Sequence, residues 1–224
     1  MKNRKKTRFK KVCWFFVGLG LLIAVFILLL LYRPGRYIPP KVINQKQVSP
    51  YLTHELLPEV YNGSQLGEPF DLVVSQDGVN EIIARSKWPR QWEGIDFWAP
   101  VAFFVPGRVV LMGEAGVGGA EFIVTVVVEA KIDDGGLLHL RLGKVRVGAV
   151  NITPLVKVIG RGMHAERLAA KGSDGKELRA QIAASLLNDE GFEPVFKIED
   201  NRVRVEEISI ERGELKVRLV PVVE

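Results

Sequence analysis

Residues 121–147 read EFIVTVVVEAKIDDGGLLHLRLGKVRV, and this stretch decides the fold. Apolar side chains recur at every second position from Phe122 to Ile132, the period of a β-strand. Asp133-Asp134-Gly135-Gly136 follows, built from ordinary turn residues, and the chain returns as a second strand from Leu137 to Val147. In the outgoing strand Phe122, Val124, Val126, Val128, Ala130 and Ile132 share one face. Ile123 and Val127 make the opposite face apolar as well, so the first half of the strand is expected to be covered on both sides. Val124 and Val126 are therefore expected in the core, and Asp133 to be replaceable. In the returning strand Leu138, Leu140 and Leu142 are even whereas Val145 and Val147 are odd, with Gly143 at the switch. Both sets keep to one face only if a bulge inserts an extra residue.

Outward from this hairpin the same habit continues. Val101–Val105 and Arg108–Met112 flank Pro106-Gly107, a two-residue turn signal. Gly113 to Gly119 reads as a flexible hairpin loop; it lacks the Lys-Ser/Thr of a phosphate loop, and strand follows it instead of helix. Before these lie a strand over Phe70–Ser75 and a helix over Gln76–Lys87, with Asp77 at the N-cap and Trp88-Pro89 as its stop. After them come helices over Pro154–Ala170 and Lys176–Asn188. Strands follow over Pro194–Glu199, Arg202–Ile210 and Glu214–Val222, turning at Asp200-Asn201 and Arg212-Gly213. Val203 and Val205 are odd and Ile208 and Ile210 even, which requires a second bulge near Glu206-Glu207. Helix then strands, twice, gives an α+β domain of curved, mainly antiparallel sheet packed on helices.

Val12 to Tyr32 is different in kind: 21 residues without a charge, 15 of them Leu, Ile, Phe or Val. As a helix they span about 31 Å, close to the hydrocarbon thickness of a bilayer. Residues 1–11 carry seven Lys or Arg and no acid, so they are expected to stay in the cytoplasm and the rest of the chain to lie outside. No small-x-small cleavage site follows the apolar run, which makes it an uncleaved signal anchor. The organisation is a basic tail (1–11), a transmembrane helix (12–32), a tether (33–69) holding six of the twelve prolines, and an exported domain (70–224). The expected location is the bacterial cytoplasmic membrane.

The pI of about 9.3 describes the orientation signal and not a binding surface. The first 36 residues hold nine of the 31 bases and no acid, leaving 22 bases against 26 acids, so nucleic acid is not an expected partner. Cys13, the only cysteine, begins the apolar run, which excludes disulfides and thiol chemistry in the exported part. His54, His139 and His164 stand apart, in no metal-ligand or triad spacing, and Asp133-Asp134 before two glycines is a turn and not a metal pair. A binding protein is expected, not an enzyme, with no cofactor and no metal.

Three of the four tryptophans fall within the aromatic stretch Trp88–Phe104, beside Arg90, Glu93 and Asp96. Rings flanked by charge are half apolar and half wet, as at the mouth of an apolar pocket or at a membrane surface. Trp88, Trp92, Phe97 and Trp98, with Ile123 and Val127 on the second apolar face of the long strand, are the candidate ligand-binding residues.

The anchor and tether followed by Gln76-Asp77-Gly78-Val79-Asn80-Glu81-Ile82-Ile83 resemble the YpmS-like bacterial membrane-anchored proteins of unknown function. In that group an acidic or amide residue a few positions before Asn opens the first helix. Val147 to Val156 (VGAVNITPLV) is similar to the family's strand–Gly–Pro–helix junction, and the final strands, ending Val220-Pro221-Val222, are similar too. Related exported domains resemble tubular lipid-binding folds, which implies a lipid or other apolar ligand. The alternative is an interaction module whose exposed sheet edge docks another envelope protein.

Overall fold

The structure is a computed structural model and describes residues 3–39, 47–92, 94–159, 174–199 and 201–222. Helix α1 (Asn3–Leu30) comes first, then a π-helical segment (Tyr51–Leu56) that runs into α2 (Leu57–Gln65). Strand β1 (Phe70–Ser75), helix α3 (Gln76–Arg85) and the short strands β2 (Arg90–Trp92) and β3 (Ile95–Phe97) follow. The long strands are β4 (Val101–Val105), β5 (Arg108–Val117), β6 (Ala120–Ile132) and β7 (Leu138–Val147). After β8 (Val150–Asn151) comes helix α4 over 153–159. Then come α5 (Asp174–Asn188), β9 (Val195–Ile198), β10 (Asn201–Ile210) and β11 (Glu214–Pro221).

The protein is α+β, and the strand pairings among the described residues are antiparallel. The smaller sheet has the order β1-β11-β10-β9 and the larger β2-β3-β5-β6-β7-β8, with β4 beside β3 on the same edge of β5. Both bulges fall where the parity of the sequence requires them. Val127 faces Lys144 and Val128 faces Leu142, so Gly143 is the extra residue. Val205 faces Leu219 and Glu207 faces Arg218, so Glu206 is the other. The first bulge sets Leu138, Leu140, Leu142, Val145 and Val147 opposite the even-numbered residues of β6.

The core lies on the smaller sheet. Leu72, Val203, Val205 and Leu219 are buried together, covered by Leu56 and Val60 from the helical segments and by Ile132 from the larger sheet. The two sheets also meet at their turns: Gly107 N–H donates to the Ile210 carbonyl at 2.9 Å and Gly213 N–H to the Phe104 carbonyl at 3.1 Å.

Several expectations need correction. Residues 51–65, expected as part of an extended tether, are helical, and Tyr51 is buried. Pro58 stands where the π-helical segment runs into α2, at the second residue of that helix. Gly113 to Val117 belongs to β5 and not to a flexible loop, the turn being Gly118-Gly119. The glycines there answer close approach: a Cβ on Gly116 would meet the Trp98 ring, and one on Gly113 would press on Pro100. The N-cap of α3 is Ser75, whose Oγ accepts the Gly78 N–H at 3.0 Å, and the helix ends at Arg85 instead of Lys87. Within the first half of β6 the deepest residues are odd-numbered. Ile123 is 1% exposed and Thr125 is buried, whereas Val124 and Val126 are half-buried. Of the helix expected over Pro154–Ala170, residues 160–170 lie outside the described residues, as does Asp200 in the last expected turn but one.

Two strand edges, those of β4 and β7, are closed, mostly by side chains. Asn80 and Gln76, one turn apart on α3, bond the backbone of β4 at Ala102 and Phe104. Along β7, Leu138 pairs with Phe192, the Leu140 N–H meets the fully buried Ser185 hydroxyl at 2.7 Å, and the Val145 N–H meets Thr153 Oγ1 at 2.8 Å.

Candidate functional site

The end of α1 docks on the domain. Its last carbonyls have no partner within the helix and need donors from elsewhere. Ala149 N–H supplies one, at 2.8 Å from the Leu29 carbonyl, while Gly148 N–H donates to the Ile123 carbonyl at 2.8 Å. Gly148 has φ +57°, and a Cβ there would run into the carbonyls of Leu29 and Leu30. Handedness and space both demand glycine. Beyond the helix, Arg33 lies between Glu121 at 3.1 Å and Glu114 at 3.6 Å, at the end of the β5–β6 hairpin. The Tyr37 hydroxyl is buried beside Glu114, and burial together with that carboxylate pushes its pKa up to about 12. Ile123, the cross-strand partner of Glu114, thus sits at this junction.

Along α1 the apolar side chains are exposed on every side, from Trp14, 78% exposed, through Leu22 and Phe26 to Leu28. The described side chains of this helix run from Trp14 to Leu30, 17 residues or about 25 Å of helix, against about 30 Å of hydrocarbon. Among the described residues no helix is long and apolar enough to cross a membrane. The helical backbone itself starts at Asn3, and the apolar run of the sequence extends from Val12 to Tyr32.

Of the candidate ligand residues, Trp98, Ile123 and Val127 share one side of the larger sheet, and Trp88 and Phe97 lie elsewhere. Trp88 closes the end of α3, its indole N–H donating to the Ile83 carbonyl at 2.8 Å, and the Arg90 guanidinium lies 4.6 Å above its ring. Trp92 pairs with Ile95 along the backbone; its side chain lies outside the described ones. Phe97 faces Ala115, whereas Trp98 lies over Gly116 on the other side of the sheet, the side that also carries Ile123 and Val127. What the larger sheet does present is an apolar tract on its other face. Val109 and Leu111 of β5 stand beside Val128 and Val126 of β6, with Val124 next in line, and all five are half-buried although their strands are flanked on both sides.

His54 is exposed on the π-helical segment, and His164 lies outside the described residues. His139 Nε2 is 3.0 Å from Asp133 Oδ2 and its Nδ1 is 3.2 Å from the Asp189 carbonyl. Asp133 Oδ1 also accepts the N–H groups of Gly135 and Leu137, each at 2.9 Å. The backbone bond from Leu137, then the His139 ring, hold its carboxyl below the usual range. No group of three or more His, Cys, Asp or Glu among the described residues is placed to hold a metal.

The sequence assigns no contact to Arg33, to Gly148 or to the amide pair Gln76/Asn80, although the last three lie in the motifs that carry the resemblance. Only the pair carried a signal, two amides at i and i+4 on one helix face. Together these features define an α+β protein of two antiparallel sheets joined to an exposed apolar N-terminal helix. Comparison with protein-family models, with curated proteins and with solved structures gives no match.

Proposed function

We propose that the protein is a single-pass membrane protein of the bacterial cell envelope, with its N-terminus in the cytoplasm. Its outer domain binds a lipid or another apolar ligand on the larger sheet. The half-buried tract Val109, Leu111, Val124, Val126 and Val128 carries this reading, because apolar side chains in central strands normally lose nearly all contact with water. The span is supported by the charge-free run Val12–Tyr32, the basic tail before it and the exposure of apolar side chains all round α1.

The rival, a module that docks another envelope protein by an open strand edge, is less well supported on the larger sheet. The edges of β4 and β7 are occupied by Asn80, Gln76, Phe192, Ser185 and Thr153. The deciding experiment places a photo-crosslinking residue at Val126 in the full chain in its own membrane. Adducts of lipid mass support the proposal. Adducts to a second protein favour the rival, and adducts only within the chain mean that the tract is closed core.

A further inference from the structure

We propose that α4 is a second membrane contact, a short helix lying in the headgroup region of the outer leaflet beside the exit of α1. The inference rests on the reading of α1 as the membrane span. Ala149 is bonded to the Leu29 carbonyl, and Leu29 belongs to the last turn of the charge-free run. The β7–β8 turn therefore sits at the depth where that run leaves the hydrocarbon. Thr153, the first residue of α4, follows four residues later, at most about 14 Å along an extended chain.

Helix α4 is held in place and carries a one-sided apolar stripe. Thr153 Oγ1 accepts the Val145 N–H at 2.8 Å and donates to Asn151 Oδ1 at 2.6 Å, which ties the start of the helix to β7 and β8. Val156 and Ile152 are half-buried. Leu155, Val158 and Ile159, at i, i+3 and i+4, are 57%, 70% and 51% exposed. Val117, at the tip of the β5–β6 hairpin that Arg33 grips, is likewise exposed. Exposed apolar side chains beside the helix exit are, on this reading, met by lipid.

The test uses the full chain in vesicles of phosphatidylethanolamine and phosphatidylglycerol. Single cysteines replace Val158 or Leu22 in a Cys13→Ala background and carry an environment-sensitive fluorophore. Both probes are expected to lose fluorescence to spin-labelled lipid, Val158→Cys most strongly when the spin label is near the headgroup, and neither to aqueous iodide. Quenching of the Val158 probe by iodide while the Leu22 probe answers to lipid would overturn the second contact and leave the span standing. A Val158 probe reached by neither quencher means that protein covers the stripe, which also overturns it. A Leu22 probe blind to spin-labelled lipid overturns the span and with it the inference.

Discussion

The side-chain amide of Asn80 holds both backbone groups of Ala102, donating from Nδ2 to the carbonyl at 2.9 Å and accepting the N–H at Oδ1 at 2.7 Å. It does for β4 what a neighbouring strand would do. Asn80→Leu keeps the branched shape and removes both partners from Ala102, which is 1% exposed. The expected cost is about 1–3 kcal/mol for each group left unpaired. It is read as a lower thermal midpoint, and an unchanged midpoint would show that the amide is dispensable.

Gly78→Ala is expected to destabilise the domain, against the usual gain of about 0.5–1 kcal/mol for this change inside a helix. The new methyl would overlap the buried Tyr51 ring, whose hydroxyl accepts the Ser75 N–H at 2.9 Å. With Tyr51 already replaced by Leu, the same change should become neutral or stabilising. Chemical denaturation of the four combinations checks the change of sign; additive effects would mean that ring and glycine are independent.

Ile123 and Val126 should differ sharply although both lie in β6. Ile123→Ala removes side-chain volume at a 1% exposed position and is expected to cost about 2–5 kcal/mol. Val126→Ala, on the half-buried tract, should cost a fraction of that. Equal drops in midpoint would place Val126 in closed core and weaken the ligand proposal.

Asp133 and Asp189 should make stability depend on acid pH. Both carboxyls are held below their usual range, Asp133 first by the Leu137 N–H and Asp189 first by Arg141. A lowered folded pKa adds stability above the unfolded value, about 3.9, which is lost as the pH falls through the folded value. The thermal midpoint of the protein minus that of Asp133→Asn should be positive at pH 7 and shrink below about pH 4. A difference that does not change with pH would exclude the carboxylate as its source. Asp133→Ala, expected to be silent from the turn alone, should be measurably destabilising because it removes the acceptor for Gly135, Leu137 and His139.

Gly148→Val should loosen α1 from the domain without unfolding it. The substitution adds backbone strain of about 1–2 kcal/mol at φ +57° and a clash with the Leu29 and Leu30 carbonyls. Faster proteolysis at Arg33 and Arg36 in the reconstituted chain is the expected sign. Unchanged cleavage would mean that the junction tolerates a side chain.

The long strands and both bulges were legible because strand period and parity are local: Gly143 and Glu206 sit where the apolar set changes sides. The helical segment over 51–65 was not, because six prolines in 33–69 outweighed a local pattern whose stability comes from the distant Gly78 and Phe70. Gly113 and Gly116 misled in the same way. A glycine run reads as a loop unless the Trp98 and Pro100 that need the space are known. Of the candidate site, the apolar faces of β6 were readable. Which residues were deepest depended on the return of Arg33 to the end of the hairpin, a contact 88 residues long in sequence that no spacing announces.

The bond between Ala149 and Leu29 also sets how the domain meets its surroundings. A domain on a slack leash samples a hemisphere above its anchor, and its partners can sit at any height within reach. One clasped to the end of its stem travels at constant altitude and keeps one side turned to the surface as it diffuses. With α1 in a bilayer, as proposed, encounters become a search in two dimensions, open to whatever lies in or on the same leaflet and closed to targets further out.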